Sequence, residues 1–184
     1  MTKATLLVQD EFFDASAPLQ KGQIADFQSH NLMITGGGGG FPVEGVIYIG
    51  EFVVKGAAVT YPDEHILQPY AVKEPVAASV AGDVVGFTTL HCNAISAPTY
   101  DRPALTGAGT GKAMAKIALV GGGVIAGAIS VDAVTDGAAV NIYVDDVTLA
   151  VPVGTISATG GAGYVTLSST FVGAASAGLV RIKL

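Results

Sequence analysis

The sequence predicts an all-β fold, a small barrel or sandwich of short antiparallel strands with an extended N-terminal arm. Residues 140–145 alternate apolar side chains with Asn141, Tyr143 and Asp145, which is the period-2 pattern of a half-buried strand. An Asp-Gly dipeptide at 136–137 stands just before them, and it favours a tight turn because it tolerates positive φ. Apolar runs and turn residues then follow each other at short spacing. That arrangement indicates a barrel or sandwich rather than a fold with long helices.

Further strands are predicted on both sides of this segment. Residues 43–60 are rich in β-branched and aromatic side chains, and 76–90 predicts a strand pair around a turn at Ala81-Gly82-Asp83. Val165 and Leu167 form one face of a further predicted strand. Residues 112–120 contain good helix formers but also alternate, and their shortness and Gly-rich flanks favour a strand. The last residues, 180–184, alternate apolar and basic side chains and predict a final strand. Two shorter features are a strand at 147–151 and a turn at 159–161.

The chain divides into an N-terminal arm, residues 1–42, and a β-domain, residues 43–184. The arm mixes apolar and charged side chains without a sustained period, and a helix over 19–28 is weakened by Gly22. Its five glycines at 36–40 predict a flexible joint. We therefore expect the arm to order only, or mainly, against a partner.

Inside the β-domain, residues 91–111 predict a long connecting loop, and loops of this length usually carry function or touch a partner. Three aromatic residues of the arm and two large side chains of this loop are the candidate partner-binding residues. They are Phe12, Phe13, Phe27, Tyr100 and Arg102.

Composition indicates a protein with weakly charged surface. Hydrophobic residues make up 50% of the 184 residues and charged residues only 13%, against a typical charged share of about 25%. Surface covered by other protein explains this shortage, and a Gly/Ala-rich β-protein explains it equally well. The net charge of −6 and the scattered basic residues argue against nucleic-acid binding.

Compartment signals are few. Acidic residues from Asp10 onward leave no room for the apolar region of a signal peptide. The apolar run 117–131 is shorter than the roughly 18 to 20 residues that span a bilayer. Cys92 is the only cysteine, which suits a reducing compartment. We expect a soluble protein made in the cytosol, without a membrane partner.

Each catalytic or ligand-binding motif that the sequence partly matches is incomplete. Residues 107–113 miss the phosphate-loop spacing, and Ala113 replaces the hydroxyl that would hold Mg²⁺. Residues 132–137 overlay part of a calcium loop, but Val134 stands at a ligand position, so turn acids are the preferred interpretation. His91-Cys92, with His65, Asp63 and Glu64, has metal-ligand atom types without a supporting spacing. The sequence thus predicts no enzyme, no cofactor and no metal site.

Three stretches resemble small β-rich cement, or decoration, proteins of tailed-bacteriophage capsids. These are the Gly-Asp turn entering a Val-rich strand at 81–87, the hairpin region 136–145 and the alternating last strand at 178–184. The resemblance covers about residues 76–184, while residues 1–75 have no counterpart in the family pattern.

That resemblance implies a non-enzymatic protein, often a homotrimer, on the outer surface of the virion capsid. Such a protein is made in the host cytoplasm, and its partner is the major capsid protein, whose neighbouring subunits it bridges. Another phage β-protein, associated with the tail or a fibre, is the alternative. An enzyme with a cryptic site is the hypothesis from a different class.

Overall fold

The computed structural model describes residues 20–24, 41–58, 70–89, 104–108, 114–115, 117–145 and 151–184. These residues form thirteen strands, one short 3-10 turn at Ala81–Asp83 and no α-helix, which confirms the all-β prediction. The strands are β1 Phe41–Pro42, β2 Glu44–Tyr48, β3 Phe52–Ala58, β4 Tyr70–Lys73, β5 Val84–Thr88, β6 Ala104–Ala108, β7 Met114–Ala115, β8 Ile117–Leu119, β9 Ile125–Ser130, β10 Ala139–Tyr143, β11 Ile156–Ser157, β12 Tyr164–Val172 and β13 Gly178–Lys183.

The five C-terminal strands close into a barrel in the order β10–β11–β9–β13–β12, and β12 pairs back to β10. Only β11 and β9 are parallel, and they meet at the single pair Ile156 and Ser130. The longest ladder joins β9 to β13 over six residue pairs. Closure leaves few free strand edges, which removes most sites for unwanted pairing.

The barrel interior holds the apolar residues that the alternation predicts. Val180, Ile182 and Leu184 are 3%, 0% and 5% exposed, whereas Lys183 between them is exposed. Leu167 and Phe171 of β12 join the same core. The period-2 prediction for the last strand is therefore confirmed.

In β10 the predicted half-burial is wrong, because both faces are covered. Asn141 is 4% exposed and Tyr143 is 0% exposed. The Asn141 amide donates to the carbonyls of Ser157 and Ala158 at 3.3 and 3.2 Å, and its oxygen accepts from the Thr166 hydroxyl at 2.6 Å. These bonds offset the cost of burying an amide.

The N-terminal half forms a four-stranded sheet in the order β4–β3–β5–β8, with two-stranded pairs β2–β6 and β1–β7 beside it. Phe52 and Phe87 contact each other edge to face, with ring centroids 5.2 Å apart, and belong to the barrel core. Val53, the next residue on β3, lies in a second core with Phe41 and Ile47. Successive residues of β3 therefore pack into two different hydrophobic cores.

Several predicted elements differ from the structure. Residues 76–80 form a turn instead of a strand, because the Ser79 hydroxyl accepts the Val76 N–H at 2.9 Å and the Ser79 N–H returns to the Val76 carbonyl at 2.7 Å. The turn expected at 159–161 lies at 162–163, where the Tyr164 N–H donates to the Gly161 carbonyl.

Two further regions contain strands. The loop prediction for 91–111 is wrong in its described part, because residues 104–108 form β6, which pairs with β2 over five residues. Residues 112–120 contain β7 and β8, as the flanking glycines suggested. The predicted strand at 147–151 lies almost wholly outside the described residues, as do the five glycines at 36–40.

Gly86 provides a test of the close approach between β5 and β8. A Cβ atom there would overlap the backbone carbonyl of Ala118, so we expect Gly86→Ala to lower the free energy of unfolding by about 1–3 kcal/mol in urea titrations. The matched control is Gly82→Ala, since a Cβ at Gly82 meets nothing within 4 Å. It should change stability by less than about 0.5 kcal/mol. Equal losses in the two variants would contradict the packing of β5 on β8.

Ser169 provides a second test. Its hydroxyl is buried, with 1% of the residue exposed, and has no hydrogen-bond partner among the described residues. Ser169→Ala should raise the free energy of unfolding by about 1 kcal/mol, because it removes an unpaired buried polar group. The neighbouring Ser168 is exposed, and Ser168→Ala should be neutral in the same chemical unfolding experiment. A destabilised Ser169→Ala protein would show that the hydroxyl is bonded.

Candidate partner-binding surface

Residues 20–24, which we call the N-terminal segment, lie along the edge of β9. The Gly22 N–H donates to the Gly127 carbonyl and the Gly127 N–H donates to the Gln23 carbonyl, both at 2.8 Å. Ile24 forms an antiparallel bridge with Ala126. Because β11 pairs with β9 only at Ser130, it leaves the rest of this edge of β9 unpaired. The N-terminal segment covers part of that unpaired edge.

Side chains of the segment reach both halves of the molecule. Ile24 is 2% exposed and belongs to the barrel core. Lys21 Nζ lies 2.7 Å from Glu51 Oε1, next to the four-stranded sheet. Gly50, at φ 74°, allows close contact, since a Cβ there would lie 2.7 Å from the Gly22 nitrogen. The segment thus links the sheet to the barrel.

This docking corrects two expectations about the arm. Residues 20–24 form a turn and a bridge, so the weak helix prediction for 19–28 is wrong in its described part. The expectation that the arm orders only or mainly against a partner is wrong for the same residues, because their backbone pairs with β9 and Ile24 is buried in their own domain. Residues 1–19 and 25–40 lie outside the described residues.

A partly open pocket of about 180 Å³ lies between the N-terminal segment and β11. Gly127 pairs with the segment and Val131 donates its N–H to the Ile156 carbonyl at 3.0 Å, so Ile129 stands between the two pairings. The lining residues are Lys21, Gly50, Glu51, Ile129, Val131, Pro152, Gly154, Thr155 and Ile156.

Three large apolar side chains are exposed beside this pocket, and we call them the apolar patch. Ile129, Val131 and Leu179 are 44%, 45% and 40% exposed. Ile129 of β9 is the direct cross-strand partner of Leu179 on β13, so the patch is contiguous on the outer face of the barrel. The same outer face of β13 carries Arg181, half-buried, and Lys183, exposed. These three side chains form the candidate partner-binding surface.

Other exposed apolar residues lie elsewhere. Val76 and Val80 are 48% and 59% exposed on the turn before β5, and Val46 is 39% exposed on β2. The patch differs from them because it adjoins a pocket and the charged pair Lys21–Glu51.

A polar cluster at one end of the barrel has a structural role. The Ser157 hydroxyl lies within hydrogen-bonding distance of the Asp132 carboxylate and the Thr159 carbonyl. Burial, and next the charges of Asp132 and Tyr143, raise the pKa of Tyr164, while a hydrogen bond with Ser157 acts in the opposite direction. These bonds join β11 to the loop after β9. The Asp132 carboxylate is therefore already hydrogen-bonded to the Ser157 hydroxyl.

Tyr143 and Tyr164 were isolated in the sequence, but they pair across β10 and β12 with ring centroids 5.2 Å apart. Asp136 accepts the Gly173 N–H at 2.7 Å, which agrees with its interpretation as a turn acid. Within the described residues, no group of three or more His, Cys, Asp or Glu side chains is arranged to hold a metal ion.

The predicted site residues are not among the residues that the structure describes. Phe12, Phe13, Phe27, Tyr100 and Arg102 all lie outside the described residues, so their partner-binding role stays a prediction. His65, His91 and Cys92 lie outside as well.

The apolar patch was missed by the sequence reasoning. In the sequence, the patch corresponds to two consecutive apolar residues in a strand, the first facing outward and the second inward, as at Leu179-Val180. In a strand with one face in water, the outward position is usually polar.

No protein-family model, curated protein or solved structure matches this chain. Across the parts of the chain that the structure describes, no helix is both long and apolar enough to cross a membrane.

Ile24 tests how much the N-terminal segment stabilises the domain. We expect Ile24→Ala to lower the free energy of unfolding by about 2 kcal/mol or more, because it empties a buried site in the barrel core. Gln20→Ala is the matched control, since Gln20 is exposed and its carbonyl still accepts the Gln23 N–H. Urea unfolding measures both variants. An unchanged midpoint for Ile24→Ala would mean that the segment does not hold the barrel together.

Proposed function

We propose that this protein is a structural component of a tailed-bacteriophage virion, a decoration protein that binds the outer surface of the major capsid shell. In this role it bridges neighbouring capsid subunits and stabilises the shell, as a homotrimer made in the host cytoplasm and without enzymatic activity. The observation that carries the proposal is the apolar patch of Ile129, Val131 and Leu179 on the outside of a closed barrel.

A closed barrel suits such a contact because its backbone is already ordered. Ile129 and Leu179 stand on β9 and β13, the longest ladder of the barrel, and Val131 directly follows β9, so little ordering entropy is lost when a partner covers them. Covering three large apolar side chains gains about 25 cal/mol for each Å² removed from water. A single such contact is weak, but repeated contacts by an oligomer on a symmetric shell become strong through multivalency.

Charge near the patch indicates the partner's surface. The whole chain has a net charge of −6, yet Arg181 and Lys183 line the β13 side of the patch. The shell site should therefore combine apolar groups with acidic residues at its rim, an arrangement that fixes orientation and speeds association.

The resemblance of residues 76–184 to decoration proteins supports the same assignment. It includes the hairpin region 136–145 and the last strand at 178–184. The all-β class of the structure is compatible with a small β-rich decoration protein.

Substitution in the patch tests the shell contact. Ile129→Asp should weaken binding to shells stripped of their decoration protein by about 30-fold, equivalent to about 2 kcal/mol for a central contact residue. Cosedimentation with the shells measures the loss. Ser168→Asp adds the same charge at an exposed position of β12 and should bind like the unmodified chain. If both variants bind equally well, the patch is not the shell contact.

Imaging tests the location. Antibody raised against the purified chain should label the icosahedral shell of native particles in negative stain. Label confined to the tail or to fibres would overturn the decoration role and favour the other phage β-protein. Particles without label would exclude a virion role.

A further inference from the structure

We propose that the β9 edge that binds residues 20–24 also accepts the same segment from a second copy of this chain, so that neighbouring copies are linked by exchanged N-terminal segments. This inference does not rest on the proposed function, because it concerns contacts between copies of the chain in solution.

The contacts of the segment are complete in themselves. Two backbone hydrogen bonds to Gly127, the bridge to Ala126 and the ion pair of Lys21 with Glu51 hold it in place. Ile24 adds a side chain buried in the barrel core. Every group that receives the segment belongs to the barrel or to the turn before β3, and the same contacts form whichever copy supplies the segment. Exchange of an identical element between copies is a low-cost route to oligomers for this reason.

The connection to the rest of the chain is long enough for exchange. Sixteen residues, 25–40, separate Ile24 from Phe41, and five of them are glycines. A chain of that length extends over at most about 55 Å, whereas a domain of this size has a radius of gyration of about 16 Å. A segment can therefore reach the β9 edge of an adjacent copy.

Local concentration decides which copy supplies the segment. In dilute solution the tethered segment has a high effective concentration and returns to its own barrel. Where many copies are held close together, neighbouring edges compete for it. Exchange should therefore increase with protein concentration.

Reversal of the ion pair separates exchange from docking within one chain. In the Lys21→Glu variant, the glutamate at 21 and Glu51 of the same chain repel each other. In the Glu51→Lys variant, the lysine at 51 and Lys21 of the same chain repel each other. A mixed dimer with exchanged segments pairs Glu at 21 with Lys at 51, and Lys21 with Glu51, so both of its contacts are attractive. The double variant Lys21→Glu/Glu51→Lys restores attraction within one chain and is the matched control.

The measurement is native mass spectrometry of the two single variants, one labelled with ¹⁵N, mixed at high concentration. We expect mixed dimers several-fold more abundant than the dimers of either variant alone, while the double variant dimerises like the unmodified chain. One substitution lowers the net charge by two and the other raises it by two, so ion exchange resolves the mixed dimer independently. Mixed dimers at no more than the twofold excess over each same-variant dimer that random pairing gives would overturn the proposal.

A second measurement remains informative if a charge reversal prevents folding. Unmodified ¹⁴N and ¹⁵N chains, mixed at high concentration, should form mixed-isotope dimers, and Ile24→Asp should reduce them several-fold because it places a charge in the core site. Ile129→Asp in the apolar patch should leave them unchanged. Dimers that persist in Ile24→Asp but disappear in Ile129→Asp would show that copies associate through the patch and not through the segment.

Discussion

The structure depends on the pairing of β9 along both of its edges. One edge is filled by six residue pairs with β13. The other edge is filled in pieces, by the N-terminal segment at Ala126 and Gly127 and by β11 at Ser130. Unpaired backbone groups at a buried edge are costly, so a five-stranded barrel with such a short β11 needs another source of partners. Residues 20–24, remote in sequence, supply them, which makes this N-terminal segment part of the domain.

This divided edge also explains where the pocket and the patch lie. The pocket opens between these two pairings, beside Ile129 and Val131. Inward residues of β9 such as Ala128 fill the core, so the exposed side chains at 129 and 131 follow from strand alternation. The position of the apolar patch is therefore a geometric consequence of how the barrel closes, and its apolar character is a property of the side chains placed there.

Local patterns predicted the elements that have one face in water and a turn beside them. The last strand and the turn at 136–137 belong to this group, whereas β-branched and aromatic composition predicted the strands near 43–60, where Phe52 and Val53 are both buried. Prediction failed where distant contacts decide the outcome. Tyr143 is buried on the side that alternation assigned to solvent, because Tyr164 lies across the strand pair. Likewise, no local period marks Gln23 or Ile24, since their partner is β9, about a hundred residues later. The candidate residues in the arm and in the long loop came from composition, and the patch required knowledge of which side of β9 faces outward.

The N-terminal segment and the apolar patch adjoin the same pocket. Lys21 of the N-terminal segment lines the pocket together with Ile129 and Val131 of the patch. A partner that covers the patch would exclude water from the pocket, and removal of water strengthens the attraction between Lys21 and Glu51. Shell binding would therefore favour the docked segment, whichever copy supplies it. Since coupling between two binding events is reciprocal, a docked segment would favour shell binding to the same degree. Ile24→Ala should consequently weaken binding to shells even though Ile24 is buried and cannot touch them.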